Sequence, residues 1–119
     1  MPHPLPEPLI ELIAGRFRVL GEPVRIKLLD ALRDGPATVN ELTGVAGTSQ
    51  QNASKHLGML HRAGLVRREK VGTAVRYEIA DASVFALCEL VCGGLQRQVD
   101  ALNDLLTPAT GPSARGGDG

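Results

Sequence analysis

Apolar side chains recur three and four residues apart along most of this chain, which is the period of an amphipathic helix. The period predicts a first helix over about residues 9–20. It predicts a second helix from Pro23, because proline suits the first helical turn. That helix is expected to end at Gly35 and Pro36, since glycine favours a left-handed cap and proline cannot continue a helix.

Two shorter helices are expected next. Thr38 and Glu41 have the spacing of a capping box, which predicts the start of a short third helix. Thr48 and Ser49 are both good N-cap residues for a fourth helix, and Gly64 is suited to its end. The third and fourth helices would therefore be joined by only a few residues.

The period changes between residues 65 and 79, where apolar and charged side chains interleave around a central Gly-Thr-Ala. This alternation predicts a β-hairpin. A last helix then runs to about Leu106, and its apolar positions have the three-four spacing of a helix-packing seam. The expected fold is mainly α with a small β-hairpin (α+β), in the order of four helices, a hairpin and one helix.

Length and charge add to this picture. The 119 residues suit one domain over residues 9–106, and the ends, residues 1–8 and 107–119, have the Pro/Gly-rich composition of disordered tails. The formal net charge is zero, but residues 50–76 carry six cations and one anion, whereas residues 77–106 carry five anions and one cation. Such a distribution suits a protein that presents one face to phosphates.

The predicted third and fourth helices and the basic hairpin have the order of a winged helix-turn-helix, in which the second helix of the pair enters the major groove of DNA. With Ala53, Leu57 and Leu60 facing the core, the fourth helix would expose amide, hydroxyl and lysine side chains that can pair with base edges. The hairpin cations would reach phosphates or the minor groove. The predicted DNA-binding residues are Thr48, Ser49, Gln50, Gln51, Asn52, Ser54, Lys55, His56, Arg62, Arg67, Arg68, Lys70 and Arg76.

A polar helix face alone is weak evidence, because such faces are usually only solvated. Here the helix pair, the polar face and the basic hairpin occur together. Moreover, residues 19–29, VLGEPVRIKLL, resemble the second helix of ArsR/SmtB-type repressors. Residues 49–57, SQQNASKHL, with Leu60 and residues 63–66, resemble their recognition helix and the start of their wing. The resemblance covers about residues 9–106.

This resemblance implies a homodimer that binds an inverted-repeat operator and is released from it by an inducer, often a metal ion. It matches Gln50, Ser54 and His56 to the recognition helix of the family, and Arg76 and Tyr77 to its second wing strand. It also implies that the first and last helices join the two copies. The predicted dimer-interface residues are Leu9, Leu12, Ile13, Val84, Cys88, Val91, Leu95 and Leu102.

The inducer is not indicated by the known patterns of the family. Its arsenic and cadmium sensors carry a cysteine pair on the third helix, but residues 41–46 of this chain contain none. Its last-helix zinc site needs histidines, and no histidine follows Asp81. Cys88 and Cys92, one helical turn apart, can supply two thiolates to a transition-metal ion of the zinc, cobalt or nickel class. The alternatives are a thiol redox switch and simple packing, since buried cysteine behaves as a small hydrophobe.

Two other classes of function remain as alternatives. An enzyme is disfavoured, because the sequence offers no Ser-His-Asp grouping, no phosphate-binding glycine loop and no carboxylate pair in an apolar setting. A winged-helix interaction module, the DNA-binding half of a two-protein regulator with its sensor in a partner, would explain the missing sensor ligands. The sequence has no apolar run of signal-peptide or membrane-span length, so a cytoplasmic protein without a membrane partner is expected.

Overall fold

The computed structural model describes residues 1–107. Their elements follow the predicted order, with one additional short strand. They are α1 (Glu7–Leu20), α2 (Pro23–Leu32), β1 (Ala37–Thr38), α3 (Val39–Ala46), α4 (Gln50–Arg62), β2 (Val66–Val71), β3 (Ala74–Ile79) and α5 (Ser83–Leu106). The predicted C-terminal tail lies almost entirely outside the described residues.

The first helix begins two residues earlier than predicted. Glu7 and Pro8 belong to its first turn, so the expectation of a disordered segment over residues 1–8 is wrong at its end. The physical reason is that proline is tolerated at the start of a helix, where its missing N–H would have no intrahelical partner, and an acidic residue is favoured there by the helix dipole. The proline-rich composition of residues 1–8 therefore gave no indication that a helix starts at Glu7.

The predicted start of α3 is confirmed. The Thr38 hydroxyl accepts the Glu41 backbone N–H, and the Glu41 carboxylate accepts the Thr38 backbone N–H at 2.8 Å. The bond donated to the Glu41 carboxylate by the Thr38 backbone N–H, and then a second one donated by the Thr38 hydroxyl at 3.1 Å, lower the pKa of the Glu41 carboxyl. At the other end of α3, Gly47 takes a left-handed conformation with φ 65°, which closes the helix and turns the chain toward α4.

The three strands form an antiparallel sheet in the order β1-β3-β2. Strands β2 and β3 are the predicted hairpin, and Gly72, with φ 63°, is the first residue of its two-residue turn, where positive φ suits the twist of the strands. The prediction of a two-stranded hairpin was incomplete, because Ala37 and Thr38 of β1 pair with β3. Two residues are too few to show an alternating pattern.

The core lies between α2, α3, α4 and the start of β2. It is aliphatic, as the near absence of aromatic residues requires, and Tyr77 is its aromatic member. The largest fully buried side chains are Leu28, Leu42, Leu57, Leu60 and Leu65. Burial of each of these leucines stabilises the fold by about 1.5–3 kcal/mol before losses of conformational entropy.

The chain divides into two compact units, residues 1–82 and the segment that starts at Ser83. In the described part of the second unit, helix α5 buries Val84 but leaves several large apolar side chains exposed. They are Leu90, Val91, Leu95, Val99, Leu102, Leu105 and Leu106. Within residues 1–107, no helix combines the length and the continuous apolar character that a membrane span needs.

Candidate nucleic-acid interface

Helix α4 has one side in the core and one side in solvent. Ala53, Leu57 and Leu60 are 0% exposed, which confirms the predicted inward side of this helix. Gln50, Gln51, Ser54 and Lys55 are exposed. Because the apolar side is fully buried, the helix presents its N-terminal amide, hydroxyl and ammonium groups outward, as base reading requires.

The cap of α4 engages three of the predicted DNA-binding residues. The Ser49 hydroxyl accepts the Asn52 backbone N–H at 3.1 Å, which satisfies one of the free N–H groups of the first turn. The Asn52 side-chain amide donates to the Thr48 hydroxyl at 2.7 Å, and both side chains are half-buried. The expectation that Asn52 is an exposed base reader is therefore wrong in part, because its amide N–H group already orders the helix start.

His56 does not lie on the exposed face, and its prediction as part of that face is wrong. The residue is only 7% exposed, and its Nδ1 accepts a hydrogen bond of 3.0 Å from Nε of Arg25 on α2. The reason is helical spacing: His56 is three residues after Ala53 and four before Leu60, so it shares their inward side. From this position its ring has little surface to offer a base edge.

One face of the wing, the hairpin of β2 and β3, carries paired charges. Directly opposite residues of an antiparallel pair share a face, and Arg67 is opposite Glu78 while Glu69 is opposite Arg76. The Arg67–Glu78 contact is 3.5 Å and the Arg76–Glu69 contact is 2.8 Å. Two of the predicted phosphate-binding cations are thus compensated by carboxylates within the wing.

The other face of the wing carries Arg68 and Lys70. Arg68 is opposite Tyr77, which is buried, and Lys70 is opposite Val75. Both cations are exposed, and neither has an ion pair among residues 1–107. Arg62, the last residue of α4, is exposed as well. At the wing and the end of α4, the cations whose charge no carboxylate of the described residues compensates are therefore Arg62, Arg68 and Lys70. Uncompensated cations are the best suited to bind phosphates.

The predicted dimer-interface residues of α5 have a graded exposure. Val84 is buried and Cys88 is half-buried, whereas Val91, Leu95 and Leu102 are about half exposed. Of the predicted residues on α1, Leu9 and Ile13 are half-buried and Leu12 is 72% exposed.

The cysteine pair of α5 is reduced and reaches solvent, Cys88 in part and Cys92 more fully. Thiolates at this spacing are suitable ligands for a soft metal ion. However, no group of three or more His, Cys, Asp or Glu side chains capable of holding a metal ion occurs in residues 1–107. One copy of the described chain therefore supplies at most half of a tetrahedral thiolate set.

Sequence reasoning missed Arg25, which contacts His56, and Met59, which contacts Arg25. Arg25 reaches His56 from α2, and the Arg25 guanidinium also donates to Sδ of Met59 at 2.7 Å. A signal was present in the sequence: Arg25 stands three and four residues before Leu28 and Leu29, on the buried stripe of α2. A charged residue on a buried stripe indicates a specific polar partner inside the fold.

The comparisons with known proteins agree with this geometry. A family model described as a helix-turn-helix domain matches residues 20–69. Over 104 residues the chain is 36% identical to the uncharacterised HTH-type transcriptional regulator Rv0081 of Mycobacterium tuberculosis, covering 83% of this chain and 91% of the relative. The crystal structure of Rv0081 matches with a TM-score of 0.73 and 34% identity, covering 81% of this chain and 97% of that one.

Two further relatives from the same organism are matched over part of their length. The HTH-type transcriptional regulator KmtR is 35% identical over 83 residues, which are 70% of this chain and 64% of KmtR. The HTH-type transcriptional repressor SmtB is 35% identical over 80 residues, which are 67% of this chain and 59% of SmtB. The chain thus spans less than two thirds of the length of these two relatives.

A solution structure of a homodimeric winged helix-turn-helix DNA-binding domain from Mycobacterium bovis, described as a possible ArsR-family regulator, is also similar. Its TM-score is 0.64 at 26% identity, covering 93% of this chain and all of that domain. The matched relatives are named as transcriptional regulators, and the match with Rv0081 covers most of both chains. The chain belongs to the ArsR/SmtB family of winged helix-turn-helix transcriptional regulators.

Proposed function

We propose that two copies of this chain bind an inverted-repeat operator, with α4 of each copy in a major groove, and thereby repress transcription. The observation that carries the proposal is the division of α4. Its apolar side is completely buried, and the amide, hydroxyl and ammonium groups of its first two turns face solvent. A helix held in this way can present several hydrogen-bonding groups to base edges at once.

The proposal assigns different roles to the helix and the wing. Gln50, Gln51, Ser54 and Lys55 contact base edges and set the preferred sequence. Three cations without an ion pair within residues 1–107, Arg62, Arg68 and Lys70, contact phosphates. They set the affinity and the register of the protein on DNA. Arg67 and Arg76 contribute less, because each must share its charge with a carboxylate on the opposite strand.

A homodimer is the second part of the proposal. On the predicted seam of α5, Val91, Leu95 and Leu102 are exposed and form more apolar surface than scattered single residues. Helix α1 separately exposes Leu12 and Phe17. A second copy would cover this surface. The homodimeric state of the similar Mycobacterium bovis domain supports this assembly. The dimer would act in the cytoplasm, where bacterial operators lie.

The signal that releases DNA is the third part. Cys88 and Cys92 are the candidate sensor, because a second copy could supply two more thiolates to a zinc, cobalt or nickel-class ion. We expect the variant with both cysteines changed to serine to keep operator binding and lose metal-dependent release, measured by titrating each metal into the protein–DNA complex. Unchanged release in this variant would make the pair packing residues.

The central test is DNA binding by the purified chain alone. A binding site is first selected from genomic fragments, and fluorescence anisotropy then gives Kd for that duplex and for a scrambled duplex. We expect nanomolar-class affinity for the selected duplex, a preference of about a thousandfold or more, and a steep loss of affinity as salt rises. Binding that appears only with a second protein would favour the two-protein regulator, and affinity independent of salt would contradict the proposal.

A further inference from the structure

The buried side of α4 contains a polar contact between His56 and the guanidinium of Arg25 on α2. Arg25, the third residue of α2, directs its guanidinium to three acceptors on two other helices. Nε donates to Nδ1 of His56 at 3.0 Å and one terminal nitrogen donates to Sδ of Met59 at 2.7 Å, both on α4. The other terminal nitrogen donates to the backbone oxygen of Val19 at 3.1 Å, in the last turn of α1.

All three acceptors are neutral, and Arg25 has no carboxylate partner among residues 1–107. A partly buried cation without an ion pair needs well-aligned hydrogen bonds to offset the loss of water. The Val19 oxygen is one of the carbonyl groups that a helix end leaves without an intrahelical partner, and the negative end of the α1 dipole favours a cation there. The guanidinium is therefore held in a fixed orientation.

This contact also selects one tautomer of the His56 imidazole. A nitrogen that accepts a hydrogen bond carries no proton, so this contact requires the tautomer of His56 with its proton on Nε2. The Arg25 donor and the His56 acceptor thus match only in this one tautomer. Hydrogen bonds from a charged donor are also roughly twice as strong as those between neutral groups.

The other buried residues of α4 are apolar, and apolar contacts impose little directional constraint. Ala53, Leu57 and Leu60 hold the helix against the core, but apolar packing alone tolerates small rotations about the helix axis. A recognition helix has to place its side chains within about 0.5 Å and 10–20° of the productive geometry. His56 directly follows Lys55 and is two residues after Ser54, so the orientation of its ring is tied to the exposed face.

We propose that Arg25 is a positioning residue for DNA recognition: it ties His56 and Met59 of α4 to the end of α1 and so sets the rotation of the recognition helix. This inference rests on the proposed function of α4 as the base-reading helix. It assigns to His56 a supporting role on the inward side of that helix. It also connects α1, a predicted dimerisation helix, to the DNA-reading surface through a single side chain.

The test compares variants that keep or remove one part of the contact. Arg25→Lys keeps the charge but cannot donate in three fixed directions. His56→Leu removes the acceptor and keeps an apolar side chain, whereas His56→Asn restores an acceptor oxygen bonded to Cγ, where Nδ1 is bonded in histidine. Arg18→Lys, on the exposed part of α1, is the matched control. Circular dichroism at a temperature well below each melting transition confirms that every variant is folded.

The readout is the ratio of the two Kd values, for the duplex selected by the wild-type protein and for its scrambled counterpart. We expect Arg25→Lys and His56→Leu to lower this preference about tenfold, which is the order expected for a lost hydrogen bond from a charged donor, and their combination to add little more. His56→Asn should recover most of it, and Arg18→Lys should match wild type. A loss of folded protein would weaken both duplexes equally, so an equal loss, or failure of His56→Asn to differ from His56→Leu, would overturn the proposal.

A second readout needs no DNA. Long-range ¹H–¹⁵N correlation spectra of the full chain should show His56 with its proton on Nε2, and Arg25→Lys should change the Nδ1 signal. A proton on Nδ1 of His56 would overturn the contact itself. If instead the tautomer is as expected but the wild-type protein does not prefer the selected duplex, the proposed base reading by α4 fails, and the positioning role of Arg25 fails with it.

Discussion

Helices α4 and α5 are both amphipathic, but they satisfy their apolar sides differently. In α4 the apolar residues Ala53, Leu57 and Leu60 are inaccessible to solvent within one chain. In α5 the described structure buries only Val84 to a comparable degree, while Val91 is 50% exposed and Leu95 is 56% exposed. The same sequence period therefore produces an apolar helix face that is buried within the chain in α4 and one that is largely exposed in α5.

The free side of each helix is therefore suited to a different kind of partner. A helix whose apolar side is already buried can offer only polar groups to solvent, which suits the polar and charged surface of DNA. A helix with an uncovered apolar side gains stability by burying it, which suits a second protein chain.

Removing a leucine from the buried side of α4 should have the largest effect. We expect Leu57→Ala to lower the free energy of unfolding by about 2–5 kcal/mol, because it removes buried methyl groups and leaves a cavity. Leu90→Ala on α5 is the matched control, and its cost should be at most about 0.5 kcal/mol, since that side chain is exposed. Urea unfolding of both variants measures the two values. Equal costs would show that the two helices do not differ in this way.

Placing a charge on the apolar side of α5 should break the assembly without unfolding the chain. We expect Leu95→Asp to convert the dimer to a monomer in sedimentation experiments, because burying a carboxylate in an apolar interface is strongly unfavourable. Operator affinity should then fall about a hundredfold, since the two half-sites are no longer bound by a linked pair. Leu90→Asp, outside the predicted seam, should remain dimeric. A Leu95→Asp dimer with full affinity would show that this face does not join the two copies.

The polar side of α4 and the wing should respond differently to substitution. Gln50→Ala should lower the free-energy preference for the correct base by about 1–3 kcal/mol at one base pair, because a side-chain amide can form two hydrogen bonds with a single base. Arg68→Ala should weaken selected and scrambled duplexes alike and should lower the salt dependence by about one phosphate contact. Anisotropy titrations at several salt concentrations separate the two effects.

The paired cation Arg76 is the control for Arg68 within the wing. Because Glu69 lies 2.8 Å from its guanidinium, Arg76→Ala should change affinity less than Arg68→Ala. The reverse order would show that the face with the ion pairs, and not the face with Arg68, lies against the phosphates.

Helical period and capping chemistry were sufficient to predict the elements that position the site. The capping box at Thr38 and the alternation over residues 66–79 act locally, so the sequence shows them directly. Strand β1 depends on pairing with β3, which is distant in the sequence, and two residues carry no pattern of their own. Long-range pairing of this kind is therefore absent from a local analysis.

The errors at the candidate site have a common physical cause. The polarity of His56 predicts an exposed position, but its place in the helical period puts it on the inward side with Ala53 and Leu60. Once buried, its Nδ1 finds a hydrogen-bond donor in Arg25, 31 positions earlier in the chain. Likewise, the ion pairs of Arg67 and Arg76 depend on the register between two strands. The sequence supplies the partners, but three-dimensional packing decides which of them meet.

The smallest expected effect concerns pH and the capping box that starts α3. The folded state lowers the pKa of Glu41, so the stabilisation from its carboxylate is present above the pKa of the unfolded chain and is lost as pH falls through the lower, folded value. Glu41→Gln keeps the side-chain shape and an acceptor oxygen but cannot titrate. We therefore expect this variant to be less stable than wild type near neutral pH and the difference to shrink between about pH 5 and pH 3. Urea unfolding at several pH values measures the difference, and Glu11→Gln on the exposed surface of α1 is the control. Helix α4 follows α3 after a short turn, but it is held in place by its own buried side. The same variant should therefore alter operator affinity only slightly. A large loss of affinity would mean that the cap of α3, and not the burial of α4, controls the position of the recognition helix.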